Sequence, residues 1–257
     1  MKSYKTYYKR HLPHYQPLGY TYFITFRLAG SLPLSTIQKL KMEKEAFLRQ
    51  IAGLESKKEK FERYHEFQTT YFEKFDALLD NPNYGDHWFT IDSVAVIIKD
   101  AIHFYDGKAY ELVCYCIMSN HVHLVITPIV GRISDSTPTV GRISDSTKEN
   151  DELFIEESRN GVSSDAEEYG RNGVSTYIVT KILQDLKKFT AGKCNKALNR
   201  TGSFWQNESY DHVVRGENDL VRIINYILNN PVKAGVAETW RDWKWSYCKY
   251  MVETEFL

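Results

Sequence analysis

His121 and His123 stand two residues apart in Met118-Ser119-Asn120-His121-Val122-His123-Leu124-Val125. On an extended chain, residues i and i+2 project from one face. Two imidazoles then stand side by side while Val122 and Leu124 face the other way. Such a pair can hold a divalent metal, or be two partly exposed sheet histidines bonded to their neighbours. A second pair lies in residues 219–230, where Leu220, Ile223, Ile224, Ile227 and Leu228 recur with helical period. At about 100° per residue, Tyr226 falls roughly 120° from the centre of that stripe. Asn230, one turn on, shares Tyr226's face. A phenol and an amide thus flank the buried stripe and face whatever lies beside the helix, unless the ring only closes the core margin. Tyr210 competes with Tyr226 as a reactive phenol because it adjoins Asp211 and His212. Lys187, Lys188, Arg215 and Lys233 suit phosphate contacts, or line solvated faces. Trp205 suits stacking on an unpaired base, or fills a core.

These residues need elements to hold them. Residues 20–28 (YTYFITFRL) alternate aromatic and β-branched side chains and predict a strand. Ser35 with Gln38 forms a capping-box pattern that opens a charged helical stretch to about Leu79, broken near Gly53. Residues 91–105 carry a helical apolar stripe that Asp106-Gly107 stops. Strands follow at 110–118 and 121–127, joined tightly through Ser119-Asn120. Residues 177–191 predict a helix, 209–215 a short strand, and 219–230 a helix ended by Pro231. Without insertions the order is β-α-β-β-α-β and then a helix, which predicts an α+β, ferredoxin-like antiparallel sheet with backing helices.

One stretch stands apart. The segment VGRISDST at 130–137 recurs unchanged at 140–147, and RNGVS at 159–163 recurs at 171–175. Residues 149–168 hold eight acids against one base. The expectation for 129–175 is a flexible, repeat-containing insertion, beside a helical hairpin insertion over 35–80, in one domain spanning 1–257.

Composition narrows the class. The 257 residues carry 33 basic and 33 acidic side chains, for a net charge of zero. That excludes bulk-charge binding of nucleic acid and leaves room for a local basic groove: residues 176–250 hold twelve Lys and Arg against seven Asp and Glu. Mean hydropathy is −0.46, and no apolar run approaches the roughly 20 residues of a membrane helix. The N-terminal residues lack a signal-peptide pattern. The cysteines Cys114, Cys116, Cys194 and Cys248 form no C-x-x-C pair, which speaks against a zinc ribbon or redox dithiol. Cys114 and Cys116 share a strand face and are expected in the core. A cytoplasmic location with no membrane partner is the expectation.

Four blocks taken together resemble the REP-associated tyrosine transposases, within the HUH superfamily of single-strand DNA transposases. They are Tyr22-Phe23-Ile24-Thr25-Phe26-Arg27; Met118 through His123; Phe204-Trp205-Gln206 with Tyr210-Asp211-His212 and Arg215; and Tyr226 through Asn230-Pro231-Val232-Lys233-Ala234-Gly235. Trp240, Trp243, Trp245, Ser246 and Tyr247 are similar to the family's C-terminal signature. The resemblance covers most of 15–128 and 176–250.

It implies that His121 and His123 are metal ligands, that Asn230 supplies a third, oxygen ligand, and that Tyr226 is the nucleophile in preference to Tyr210. It further implies a metal-dependent transposase that cleaves and rejoins single-stranded, hairpin or repeat DNA through a 5′-phosphotyrosine link, as monomer or homodimer. Mg²⁺ or Mn²⁺ suits an oxygen-rich substrate site better than structural zinc. Two other readings remain: a single-stranded nucleic-acid-binding module, and a metal-dependent nuclease that uses water.

Overall fold

The computed structural model describes residues 7–9, 13–129 and 178–250. They fall into two compact units: residues 30–87 belong to one, and the remaining described residues to the other. The repeat-bearing stretch expected to be flexible lies outside the described residues, save Ile129.

The larger unit is α+β, the class the sequence predicts. A small ribbon pairs β1 (Tyr7–Lys9) with β2 (Pro13–Tyr15). The main sheet has five antiparallel strands: β3 (Tyr22–Arg27), β4 (Tyr110–Ile117), β5 (His121–Pro128), β6 (Tyr210–Val213) and β7 (Ser246–Cys248). Their order across the sheet is β6-β3-β5-β4-β7. The strand that carries His121 and His123 is therefore central. In register, Arg27 lies opposite His121, Thr25 opposite His123 and Tyr210, and Phe23 opposite His212.

The helix numbering α1 to α5 follows chain order. The sheet is covered on both faces, so β3 is buried along its whole length and shows no apolar–polar alternation. On one face, Ile24, Phe26, Val122, Leu124 and Tyr115 pack with Ile98 and Ile102 of α3 (Asp92–Tyr105) and with Leu183 and Leu186 of α4 (Ile178–Ala197). Asp106 caps the end of α3, and Gly107, at φ +71°, supplies the left-handed turn that leads into β4. The opposite face presents Phe23, Thr25, His121 and His123 to α5 (Glu217–Lys233).

The smaller unit contains α1 (Leu34–Ala52) and α2 (Lys57–Leu79). Ser56 caps α2 by accepting from the Glu59 N–H. Phe47 stacks on Phe67 with ring centroids 3.9 Å apart, and Lys74 pairs with Glu43, which brings the two helices side by side.

Two expectations are corrected. Ser35 does not open a capping box: α1 begins at Leu34 with Pro33 at the cap and no side-chain bond. Proline's fixed φ suits a helix entry, and Ser35 lies already inside the first turn. Nor does Pro231 end α5. The helix runs on to Lys233 with Pro231 inside it. Proline withdraws one N–H and crowds the carbonyl four residues back, but the turn beyond it still closes: Ala234 donates to Asn230 O and Gly235 to Val232 O.

Candidate active site

β5 projects both imidazoles onto the face beneath α5, and both residues are fully buried. Each ring is held from behind. Asn120 Oδ1 is 2.8 Å from His121 Nδ1. A carbonyl oxygen only accepts, so His121 Nδ1 carries a proton. On His123, Asn230 Nδ2 donates to Nε2 over 2.7 Å. That nitrogen is therefore the acceptor, and Nδ1 donates to Thr25 Oγ1 at 2.8 Å. Both rings thus carry a proton on Nδ1 and turn Nε2 inward, where the two nitrogens lie within hydrogen-bond distance at 3.1 Å.

This donor set fits a divalent cation. With the Asn230 amide turned to present its oxygen, both Nε2 atoms can aim a lone pair at a cation beside them. The spacing also matches neighbouring ligands of an octahedral ion, about 3.0 Å apart for bonds of about 2.1 Å. A proton-bearing Nδ1 hydrogen-bonded to an oxygen is the usual way a ligating histidine is oriented.

α5 brings the other chemistry. Ile223, Ile224, Ile227 and Leu228 are buried as the stripe requires, and Asn230 is only 2 % exposed. A half-turn of the Asn230 amide exchanges Nδ2 for Oδ1 and presents the oxygen at the same point. Tyr226, half-buried, meets His123 edge-on at 6.0 Å between centroids and Phe23 at 6.3 Å. The structure thus gathers His121, His123, Asn230 and Tyr226. Tyr210, on the edge strand, also meets Phe23 edge-on, at 6.1 Å.

The start of α5 is anchored to β6. Gly216 sits at φ +88° and lets the chain turn into the helix. Asp219 Oδ2 accepts from Arg215 N at 3.0 Å and lies 3.3 Å from His212 Nε2, while Oδ1 accepts from Arg222 at 2.7 Å. Burial pushes the Asp219 carboxyl up, but the bonds from His212, the Arg215 N–H and Arg222 outweigh it and hold the group well below the usual carboxylate range.

The four cationic candidates separate. Lys188 and Lys233 are exposed, and Arg215 is half-buried beside Asp219. Lys187 donates to the Gln206 and Asn207 carbonyls at 3.0 and 3.3 Å, so it ties a loop to α4 rather than standing ready for phosphate. Trp205 is corrected as a base-stacking platform. Its ring packs against Phe26, Phe89 and Phe204, and its N–H donates to Thr190 Oγ1 at 2.9 Å, which leaves no face for a base. Cys114 and Cys116 are fully buried, as expected.

Thr25, Asn120 and Arg27 join the site without having been singled out by the sequence. Arg27 shares Thr25's face and is 8 % exposed. Burial lowers its guanidinium to about 10, against the opposing pull of Glu208. All three lie within the motif blocks; the strand register places Thr25 and Arg27, and the turn before β5 places Asn120.

Sequence comparison finds a curated protein of Haemophilus influenzae named "Putative REP-associated tyrosine transposase", 32% identical over 71 residues. The chain is similar to a REP-associated tyrosine transposase. The match covers 27% of this chain and 40% of that relative's length. Among solved structures, one described as "Structure of the REP associates tyrosine transposase bound to a REP hairpin" aligns over 93% of this chain and 80% of its own, at 15% identity and a TM-score of 0.44. No family model matches. Among the described residues, no helix is long and apolar enough to cross a membrane.

Proposed function

We propose that the protein is a single-strand DNA transposase whose nucleophile is Tyr226 and whose metal ligands are His121, His123 and Asn230. The observation that carries this reading is the bond from Asn230 to His123 Nε2, which brings the tyrosine helix onto the histidine pair. Mg²⁺ or Mn²⁺ held there would polarise the scissile phosphate and offset charge on its oxygens. Tyr226 attacks phosphorus: its oxygen–phosphorus bond forms, the bond to the 3′-oxygen breaks, the phenol proton passes to solvent, and solvent supplies one to the leaving 3′-oxygen. The products are a 5′-phosphotyrosine and a 3′-hydroxyl. A second DNA 3′-hydroxyl can reverse the step and join new strands, because the diester is conserved throughout. Lys188, Arg215 and Lys233 are the proposed phosphate contacts. The proposed substrate is hairpin-forming repeat DNA, as the resemblance of the motif blocks implies.

The test is a denaturing gel. A 3′-labelled single-stranded oligonucleotide spanning the hairpin repeats that flank the gene is incubated with protein and Mn²⁺. The label should shift to the protein's mass, and Tyr226→Phe should abolish the shift. Cleavage without a shift supports the water-using nuclease, and binding without cleavage supports the binding module. A shift lost in Tyr210→Phe but kept in Tyr226→Phe would move the nucleophile to β6.

A further inference from the structure

Lys233 is exposed, yet its ammonium lies 4.7 Å from the centre of the Tyr226 ring. The two residues are seven apart on α5. At about 100° per residue, Tyr226, Asn230 and Lys233 fall within an arc of about 60° on the helix. Helical side chains lean toward the N-terminus, so Lys233 extends its stem back along that arc to reach the ring. Phe23 and His123 meet the same ring edge-on. The phenol is thus held by two aromatic edges and one cation.

We infer that Lys233 is a catalytic residue that neutralises the non-bridging oxygens of the phosphate under attack and, afterwards, of the phosphotyrosine. This rests on Tyr226 being the nucleophile, and it assigns Lys233 a role beyond general affinity for DNA. The two histidines would face the reacting phosphate from the sheet, and Asn230 from α5. Lys233 approaches from the helix, beside the group that becomes bonded to phosphorus. A flexible four-carbon stem lets the ammonium slide from the ring toward its oxygen once a phosphate is attached. The reaction is the exchange already described: one oxygen–phosphorus bond forms, one breaks, and Lys233 keeps its protons throughout. A cation aimed where charge develops contributes more to the transition state than to ground-state binding.

The experiment measures single-turnover adduct formation, with protein in excess over the same 3′-labelled hairpin oligonucleotide and Mn²⁺. Wild type, Lys233→Gln and Lys233→Arg are compared, and the Kd of each is measured with Ca²⁺ in place of Mn²⁺. Lys233→Gln should slow adduct formation about 30- to 300-fold while weakening Kd only about 3-fold, as loss of one phosphate contact does, and Lys233→Arg should recover most of the rate. Thermal melts of the three proteins should coincide. A wild-type rate in Lys233→Gln overturns the inference and leaves the nucleophile standing. A Kd loss as large as the rate loss also overturns it and makes Lys233 a simple backbone contact. Equal defects in the Arg and Gln variants overturn it in favour of a structural role. If wild type itself forms no adduct, the phosphotyrosine reading fails first and the role of Lys233 falls with it.

Discussion

Thr25 and Asn120 determine what the two imidazoles can do. Each holds an Nδ1 at 2.8 Å and so directs an Nε2 toward the same point. Replacing either partner leaves the ring in place but loosens its orientation. Thr25→Val and Asn120→Ala should each weaken Mn²⁺ binding about 10- to 100-fold, while Thr25→Ser stays close to wild type. Titration calorimetry with Mn²⁺ checks this, and unchanged affinity in Thr25→Val would remove the threonine from the site. The His121/His123 pair was legible in the sequence because two residues of one strand share a face whatever the rest of the chain does. Thr25 was not, since its partner lies 98 residues away and the contact exists only once the register between β3 and β5 is set. Trp205 stayed open between a base stack and the core for a related reason: only Thr190 and three neighbouring rings decide for the core.

At the level of the element, α5 is the part on which the site depends. Its apolar stripe and the shared face of Tyr226 and Asn230 follow from local periodicity, so both were readable. Its ends were not. Pro231 normally signals a stop, but here the ordinary helical bonding resumes beyond it, from Ala234 N to Asn230 O. Asp219 anchors the opposite end, in the first turn, where a carboxylate also complements the helix dipole. Its depressed pKa has a definite sign. Charge on Asp219 stabilises the fold above the unfolded carboxylate's pKa near 4, and that contribution is lost as pH falls below it. Asp219→Asn should therefore cost about 1 kcal/mol at pH 7 once solvent screening is allowed for. The difference from wild type should shrink steadily below about pH 4. Urea midpoints at pH 7, 5, 4 and 3 test this; a gap that is constant across that range would show that Asp219's charge contributes nothing. The same variant should slow adduct formation, because the tether from β6 sets where Tyr226 lies.

At the level of the whole molecule, charge neutrality conceals an asymmetry. Residues 130–177 contain five basic and ten acidic side chains, so the rest of a neutral chain carries +5. DNA binding is dominated by phosphate neutralisation and falls with salt in proportion to the contacts made. A covalently attached stretch of net −5 competes with DNA for the same cations, most strongly at low salt where screening is weak. Replacing residues 130–177 with a short Gly/Ser linker should therefore tighten binding of the hairpin oligonucleotide several-fold at 50 mM salt and by less at 200 mM. Covalent adduct formation should persist, since His121, His123, Tyr226 and Asn230 all lie outside the replaced stretch. Fluorescence anisotropy at the two salt concentrations reads the first outcome, and the denaturing gel reads the second. Weaker binding in the linker variant would mean that the acidic, repeat-bearing stretch contributes contacts of its own, through the few arginines within its repeats. Equal binding at both concentrations would mean that its charge lies too far from the DNA path to be felt across a Debye length of about 10 Å.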